Sequence, residues 1–226
     1  MQPCVIVFPG SNCDRDVAVA LEQACGRKPL MVWHAESSLP KNDLIVLPGG
    51  FSYGDYLRTG AMAAHAPIMR EVIAAANKGT RVLGICNGFQ ILTETRLLPG
   101  TLLRNAGLKF ICRTVPIKVE TNESDFTRAY KKDEIIHLPV SHGDGNYYAD
   151  DAVLRRLEGN GQIAFRYEEN PNGSLGNIAG IFNEKRTILG LMPHPERAFE
   201  ALQGGEDGRR VFKSLVDSLL FKSLGI

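Results

Sequence analysis

A thiol stands where a short apolar strand is predicted to turn into a helix. Residues 81–90 read RVLGICNGFQ, in which residues 82–85 are apolar and the segment after Cys86 has helical spacing. Gly84 and Gly88 flank the thiol as in a nucleophile elbow, with Cys in place of Ser. The positive end of the helix favours a thiolate. The pattern therefore predicts a nucleophile at Cys86, and the alternative is a small buried cysteine that ends a core strand.

A cysteine nucleophile needs a base and a group that orients the base. His194 and Glu196 meet this need within the sequence PHPE at residues 193–196. The two prolines favour an extended backbone, in which residues two apart project to the same side. We therefore expect Glu196 to hold one imidazole nitrogen of His194, while the other nitrogen faces the thiol. The alternative is a surface loop with an incidental His and Glu.

Two backbone amides are predicted to hold a developing oxyanion. The amide of Asn87 follows the nucleophile, and the amide of Gly50 follows the third predicted strand in the sequence PGGF. Glycine at position 50 would avoid a side chain that obstructs the substrate. The alternative reading of residues 49–50 is a plain tight turn.

His142, in the sequence SHGDG, is the only serious rival base, and it lacks a carboxylate two residues on. No grouping of His, Cys and Asp has the spacing of a metal site, so we expect no metal. Neither the phosphate-loop pattern nor a glycine-rich dinucleotide pattern occurs, so we expect no ATP site and no cofactor in this chain.

Composition excludes several classes of protein. The 226 residues are 44% hydrophobic and 23% charged, with a net charge of +1, which gives no case for nucleic-acid or membrane binding. No apolar run reaches membrane-spanning length, and the N-terminus lacks a signal-peptide pattern. The five cysteines are scattered, which fits reduced thiols in the cytoplasm better than disulfides.

Short apolar strands alternate with amphipathic helices in the first half of the chain. Strands are predicted at residues 4–8, 30–33, 44–47 and 82–85, with helices at residues 14–25 and 67–77. The second half has strand candidates at residues 115–119, 135–140, 163–167, 178–182 and 188–192, followed by a helix over residues 209–224. We therefore expect an α/β fold of one domain, residues 1–226, whose mostly parallel open sheet has helices on both faces and an antiparallel extension.

Parallel strands bring their carboxyl ends to one edge of a sheet, where ligands bind. Four strand ends carry unusual residues, namely residues 9–12, residues 48–51, Cys86 and residues 193–196. The fold would thus assemble the thiol, the imidazole and the carboxylate at one edge.

At this point three motifs resemble a known family. The sequences GICNGFQ at residues 84–90, PGGF at residues 48–51 and PHPE at residues 193–196 look like class I (triad-type) glutamine amidotransferases. FPGSNCDRD at residues 8–16, PGGFSYGDYLRTGAMA at residues 48–63 and MPHPER at residues 192–197 are similar to the free-standing glutaminase subunits of phosphoribosylformylglycinamidine synthase. SHGDG also resembles that family, which more often has Glu at position 144.

The resemblance implies a flavodoxin-like open sheet and a glutaminase mechanism. Cys86 would attack glutamine, His194 would move the protons, Glu196 would orient His194, and the amides of Gly50 and Asn87 would hold the oxyanion. The resemblance also makes Gln90 a candidate substrate contact, and the alternative is an ordinary helix residue.

The family passes its ammonia to a separate ATP-dependent synthetase subunit, and a small third subunit is expected to bridge the two. ATP and Mg²⁺ are therefore expected on the partner. Two alternatives are another hydrolase with a cysteine elbow, such as a γ-glutamyl peptidase or a DJ-1-like protein, and a non-catalytic binding subunit on the same fold.

Overall fold

A computed structural model describes residues 1–224 of the chain, and its centre is a nine-stranded mixed sheet in the order β2-β1-β3-β4-β11-β10-β9-β6-β7. The strands are β1 (Pro3–Val7), β2 (Leu30–Trp33), β3 (Leu44–Leu47), β4 (Arg81–Ile85), β5 (Thr101–Leu103), β6 (Ile111–Val119), β7 (Ile135–His142), β8 (Asn146–Tyr148), β9 (Ile163–Tyr167), β10 (Ile178–Phe182) and β11 (Ile188–Leu191). The helices are α1 (Asp14–Cys25), α2 (Ala61–Ala64), α3 (Pro67–Asn77), α4 (Asn87–Glu94), α5 (Asp151–Gly159) and α6 (Arg209–Leu224).

Five strands form the parallel core of the sheet. β1 pairs in parallel with β2 and β3, and β4 pairs in parallel with β3 and β11. All residues of β3 and β11 are buried, as expected for strands covered on both faces. The predicted parallel sheet is confirmed, including the strand that leads into Cys86.

Helices cover both faces of this core. The chain moves from β1 to β2 in one direction along the sheet and from β3 to β4 in the other. Because such crossovers are right-handed, α1 and α3 lie on opposite faces. Helix α6 packs against α1, and helix α4 packs on β3, β4 and β11.

The antiparallel extension contributes the other four strands, β10, β9, β6 and β7, to the same sheet. A separate two-stranded sheet, formed by β5 and β8, was not expected from the sequence. Each of its strands has three residues, which is too short for a hydrophobic period to show.

Within residues 1–224, no helix combines the length and the apolar character needed to cross a membrane. The domain prediction covers residues 1–226 and stays a prediction, since residues 225–226 lie outside the described part of the chain.

Candidate active site

The nucleophile elbow predicted at Cys86 is present. Cys86 lies between the last residue of β4, Ile85, and the first residue of α4, Asn87. Its φ of 50° and ψ of −105° are a backbone conformation that residues other than glycine rarely adopt. Gly88 lies directly against the carbonyl oxygen of Leu47 in β3, so that a methyl group there would overlap that oxygen. A methyl group on Gly84 would likewise overlap Leu92 and the backbone of Gly88. The two glycines therefore let α4 sit close to the sheet and present the thiol.

Strand pairing brings the imidazole to the thiol. β4 and β11 are neighbours, with Ile85 opposite Leu191, and the amide of Cys86 donates to the carbonyl of Leu191 at 2.8 Å. His194 follows three residues after Leu191, and its own amide donates to the carbonyl of Pro139 at 2.8 Å. The nucleophile and the candidate base are thus held by adjacent, hydrogen-bonded strands at one edge of the sheet.

His194 and Glu196 form a buried pair. The imidazole Nδ1 lies 2.6 Å from the carboxylate Oε1, and each residue is 1% exposed. The backbone conformation that allows this contact differs from the extended conformation predicted from the two prolines. Pro195–Arg197 form a short 3₁₀ turn, because proline is well accommodated in the first turn of a helix. The predicted contact is present, and the predicted extended conformation is wrong.

The His194 imidazole experiences opposing influences on its pKa. Burial lowers the pKa, but the Glu196 carboxylate and the Cys86 thiol raise it, and the result lies well above the ordinary histidine value. An imidazolium beside the sulfur stabilises a thiolate. A methyl group on Gly49 would lie 2.7 Å from Cε1 of His194 and 3.4 Å from Cβ of Cys86, so the two side chains border the same small space.

A second thiol, Cys13, was not selected in the sequence and lies beside the same imidazole. Cys13 is 2% exposed, contributes to the raised pKa of His194, and accepts a hydrogen bond from Nη2 of Arg197 at 3.1 Å. Arg197 also contacts Asp16. In the sequence these residues lie within the motifs FPGSNCDRD and MPHPER, but nothing in either motif singled out their side chains.

The two candidate oxyanion residues lie beside the nucleophile, on the loop after β3 and at the start of α4. The side-chain oxygen of Asn87 accepts a hydrogen bond from the amide of Ser52 at 3.2 Å, which fixes the loop against the helix. Gly50 has φ of 129°, and a methyl group there would lie 2.6 Å from the amide nitrogen of Asn12. Glycine at position 50 is thus required by packing against the first loop, and the predicted reason, substrate clearance, is not needed to explain it.

Gln90 is 4% exposed and connects two parts of the site. Its Oε1 accepts from Nδ2 of Asn87 at 2.8 Å, and its Nε2 donates to the carbonyl of Asp144 at 2.7 Å. Gln90 therefore ties the segment after β7 to the nucleophile helix. Its predicted contact with substrate stays a prediction.

A cavity of about 290 Å³ opens at the elbow and is small, as suits a small ligand. Cys86, Gly50 and Gln90 all line it, and so does His142 at the end of β7. Burial, and next the nearby His194, lower the pKa of His142 to about 4, so its ring is neutral near pH 7. A base that is so weak makes a poor rival to His194.

Within the described residues, one group of side chains has its potential metal-ligand atoms close together. Ligand atoms of Cys13, His194 and Glu196 lie within 4.8 Å of one another. A cation there would compete with the carboxylate for the imidazole and with the Arg197 guanidinium for the thiol. These contacts show what a metal would have to displace, and the predicted absence of a metal site stays a prediction.

Comparisons with known proteins agree with this geometry. The family description "CobB/CobQ-like glutamine amidotransferase domain" matches residues 1–217. The chain is 59% identical over 217 residues to phosphoribosylformylglycinamidine synthase subunit PurQ of Novosphingobium aromaticivorans, covering 96% of each chain. It is 61% identical over 217 residues to the PurQ subunit of Zymomonas mobilis, covering 96% of this chain and 98% of that one.

This chain belongs to the PurQ family of glutamine amidotransferases. A chain in the solved structure of PurLQS from Thermotoga maritima superposes with a TM-score of 0.89 at 49% identity, covering 96% of this chain and 98% of that one. The family resemblance drawn from the motifs and the predicted fold class are both confirmed. Membership in the PurQ family also excludes the γ-glutamyl peptidase and DJ-1-like alternatives.

Proposed function

We propose that this chain is the glutaminase subunit of phosphoribosylformylglycinamidine synthase. It hydrolyses glutamine to glutamate and ammonia, and a synthetase subunit uses the ammonia to convert formylglycinamide ribonucleotide to formylglycinamidine ribonucleotide in purine biosynthesis. The observation that carries the proposal is the buried His194–Glu196 pair beside a cysteine elbow, in a chain of the PurQ family. An inactive subunit, the remaining alternative, would have no use for this arrangement.

The chemistry begins at the sulfur of Cys86. The thiolate attacks the side-chain amide carbon of glutamine, and the imidazolium of His194 gives a proton to the departing nitrogen. Ammonia leaves, and a thioester joins the substrate to Cys86. Neutral His194 then takes one proton from water as the water oxygen attacks the thioester. The Cys86 thiolate leaves, His194 is again an imidazolium, and the new carboxyl group of glutamate releases the second water proton to solvent.

Both addition steps place negative charge on the former carbonyl oxygen of the substrate. We assign its stabilisation to the amides of Gly50 and Asn87, which belong to segments held together by the Ser52–Asn87 hydrogen bond. Glu196 keeps His194 in place and stabilises its charged form. Gln90 contacts the substrate or holds the segment that does so.

The partners are a synthetase subunit and a small bridging subunit. The similar Thermotoga maritima chain is part of PurLQS, which supports assembly with subunits corresponding to PurL and PurS. Ammonia in neutral water is mostly protonated and is then not a nucleophile, so transfer between subunits protects it. ATP and Mg²⁺ belong to the synthetase subunit in this proposal, and this chain itself uses no cofactor.

We place the protein in the cytoplasm as a single amidotransferase domain over residues 1–226. All five cysteines are free thiols, which suits a reducing compartment. Neither nucleic acid nor membrane is needed for the proposed activity.

A reconstitution experiment tests the function. The chain is purified with and without the synthetase and bridging subunits, and glutamine-dependent formation of formylglycinamidine ribonucleotide is measured together with glutamate release. We expect low glutamate release from the chain alone and stimulation by the partners. Glutamate release that is equal in both preparations would reject the coupling, and a complex active only with free ammonia would reject the glutaminase role.

A further inference from the structure

Two residues that line the cavity at the elbow each have a buried acceptor atom without a hydrogen-bond donor. Within the described residues, Nε2 of His142 and Oδ1 of Asp55 are both buried atoms without a partner. Both residues line the cavity that Cys86 lines. Because an unpaired buried acceptor is costly, two such atoms on residues that line one small cavity indicate a ligand that carries hydrogen-bond donors.

The protonation of His142 is set by its neighbour Asn105, which is fully buried. The Asn105 amide nitrogen donates to the carbonyls of Lys109 and His142, each at 2.9 Å, so the other amide atom is the oxygen. That oxygen lies 3.1 Å from Nδ1 of His142 and also accepts from the amide of Gly145. The ring must therefore carry its proton on Nδ1, which leaves a lone pair on Nε2.

The carboxylates on the cavity add negative charge. Burial, and next the Asp144 carboxylate, raise the pKa of Asp55 to about 6, which shows that the two acidic groups repel each other when both are ionised. A cation between them would relieve this repulsion. The other ionisable groups that line the cavity are Cys86, Arg104, Lys109 and His142.

We propose that Asp55, Asp144 and His142 bind the α-ammonium group of glutamine. The ammonium offers three N–H donors and one positive charge, which match one neutral imidazole acceptor and two carboxylates. The inference rests on the proposed function, since it places the amino-acid end of the substrate in the cavity while its side-chain amide reaches Cys86. These residues would select glutamine over amides that lack an α-amino group.

A comparison of two substrates tests the assignment in the reconstituted complex. Glutaramate is glutamine without its α-amino group, so it cannot use the ammonium site. We expect Asp55→Asn to lower kcat/KM for glutamine roughly 10- to 100-fold, mainly through KM, and to change the value for glutaramate less than about twofold. Equal losses for both substrates, or an unchanged KM for glutamine, would overturn the proposal.

A matched control tests whether an Asp→Asn change at a position with a left-handed backbone conformation has an effect of its own. Asp55 has φ of 53°, and asparagine tolerates this left-handed region well. Asp133, outside the cavity, has φ of 62° and an exposed side chain, so Asp133→Asn makes the same change in the same backbone conformation. It should leave both substrates unchanged, and a selective loss for glutamine in this control would overturn the proposal.

A binding measurement separates this proposal from the glutaminase proposal. Glutamine is titrated by calorimetry into the complex of Cys86→Ala and into that of Cys86→Ala with Asp55→Asn, neither of which can turn it over. Binding that weakens roughly 10-fold or more in the double variant supports the ammonium site, even if the wild-type complex proves unable to release glutamate. Equal affinity in the two variants would overturn it.

Discussion

The imidazole of His194 and the carboxylate of Glu196 lie 2.6 Å apart across the start of a single 3₁₀ turn, which His194 immediately precedes. The pair is therefore preformed by local backbone geometry. The third member, Cys86, is then placed by the pairing of β4 with β11.

Replacement of the nucleophile should separate the two halves of the reaction. In the reconstituted complex, Cys86→Ala should lower glutamine-dependent synthesis by at least about 10³-fold, because no thioester forms. Synthesis from added ammonium salt should persist and serves as the control for assembly. Full glutamine-dependent activity in this variant would refute the role of the thiol.

Loss of the carboxylate should change both the rate and its pH dependence. Glu196 raises the pKa of His194, so in Glu196→Gln the imidazolium should lose its proton at lower pH than in the wild type. We expect kcat to fall by about 10²- to 10⁴-fold and the basic limb of the pH–rate profile to move to lower pH. A fall in rate with an unmoved basic limb would show that Glu196 acts only in packing.

The close approach of α4 to the sheet should tolerate no side chain at Gly88. Gly88→Ala would force a methyl group into the Leu47 carbonyl, and we expect a loss of more than about 3 kcal/mol in the free energy of unfolding. Gly107→Ala is the matched control, since nothing lies within 4 Å of its new methyl group, and it should stay within about 0.5 kcal/mol. Similar melting temperatures for the two variants would contradict the packing described for the elbow.

Acid should weaken glutamine binding. Asp55, whose pKa is raised to about 6, takes up a proton as the pH falls through that value and loses the charge that attracts an ammonium. The KM for glutamine should therefore rise below about pH 6, and the bound ammonium should push the midpoint lower in the complex with substrate. In Asp55→Asn this acid-dependent rise should be absent, which steady-state kinetics across pH can check.

The sequence predicts the parallel core and the elbow because both depend on local patterns. The fully apolar β3 and the glycines around Cys86 each carry their own signal. The order of the antiparallel strands has no such signal, since β6 pairs with β9 across more than forty residues of chain and only the folded sheet selects that partner.

Parts of the site escape prediction for a related reason. Asn105 defines the tautomer of His142, yet the two are 37 positions apart and no spacing rule connects them. Asp55 has a left-handed backbone conformation in the segment after β3, and it lines the cavity. Cys13 contacts His194 although the two residues lie near opposite ends of the chain. The 3₁₀ turn at Pro195 shows that prolines limit backbone choice without fixing it.

The hydrogen-bonded register of β4 and β11 leaves the sulfur and the imidazole little freedom to move apart, because a slip of either strand would break the centre of the sheet. A docking subunit that alters turnover must therefore act elsewhere. The loop after β3 and the segment after β7 border the cavity, and the side chains of Asn87 and Gln90 connect them to the nucleophile helix. Contact with a partner subunit would then change how the site binds glutamine and its charged groups, while Cys86 and His194 keep their positions.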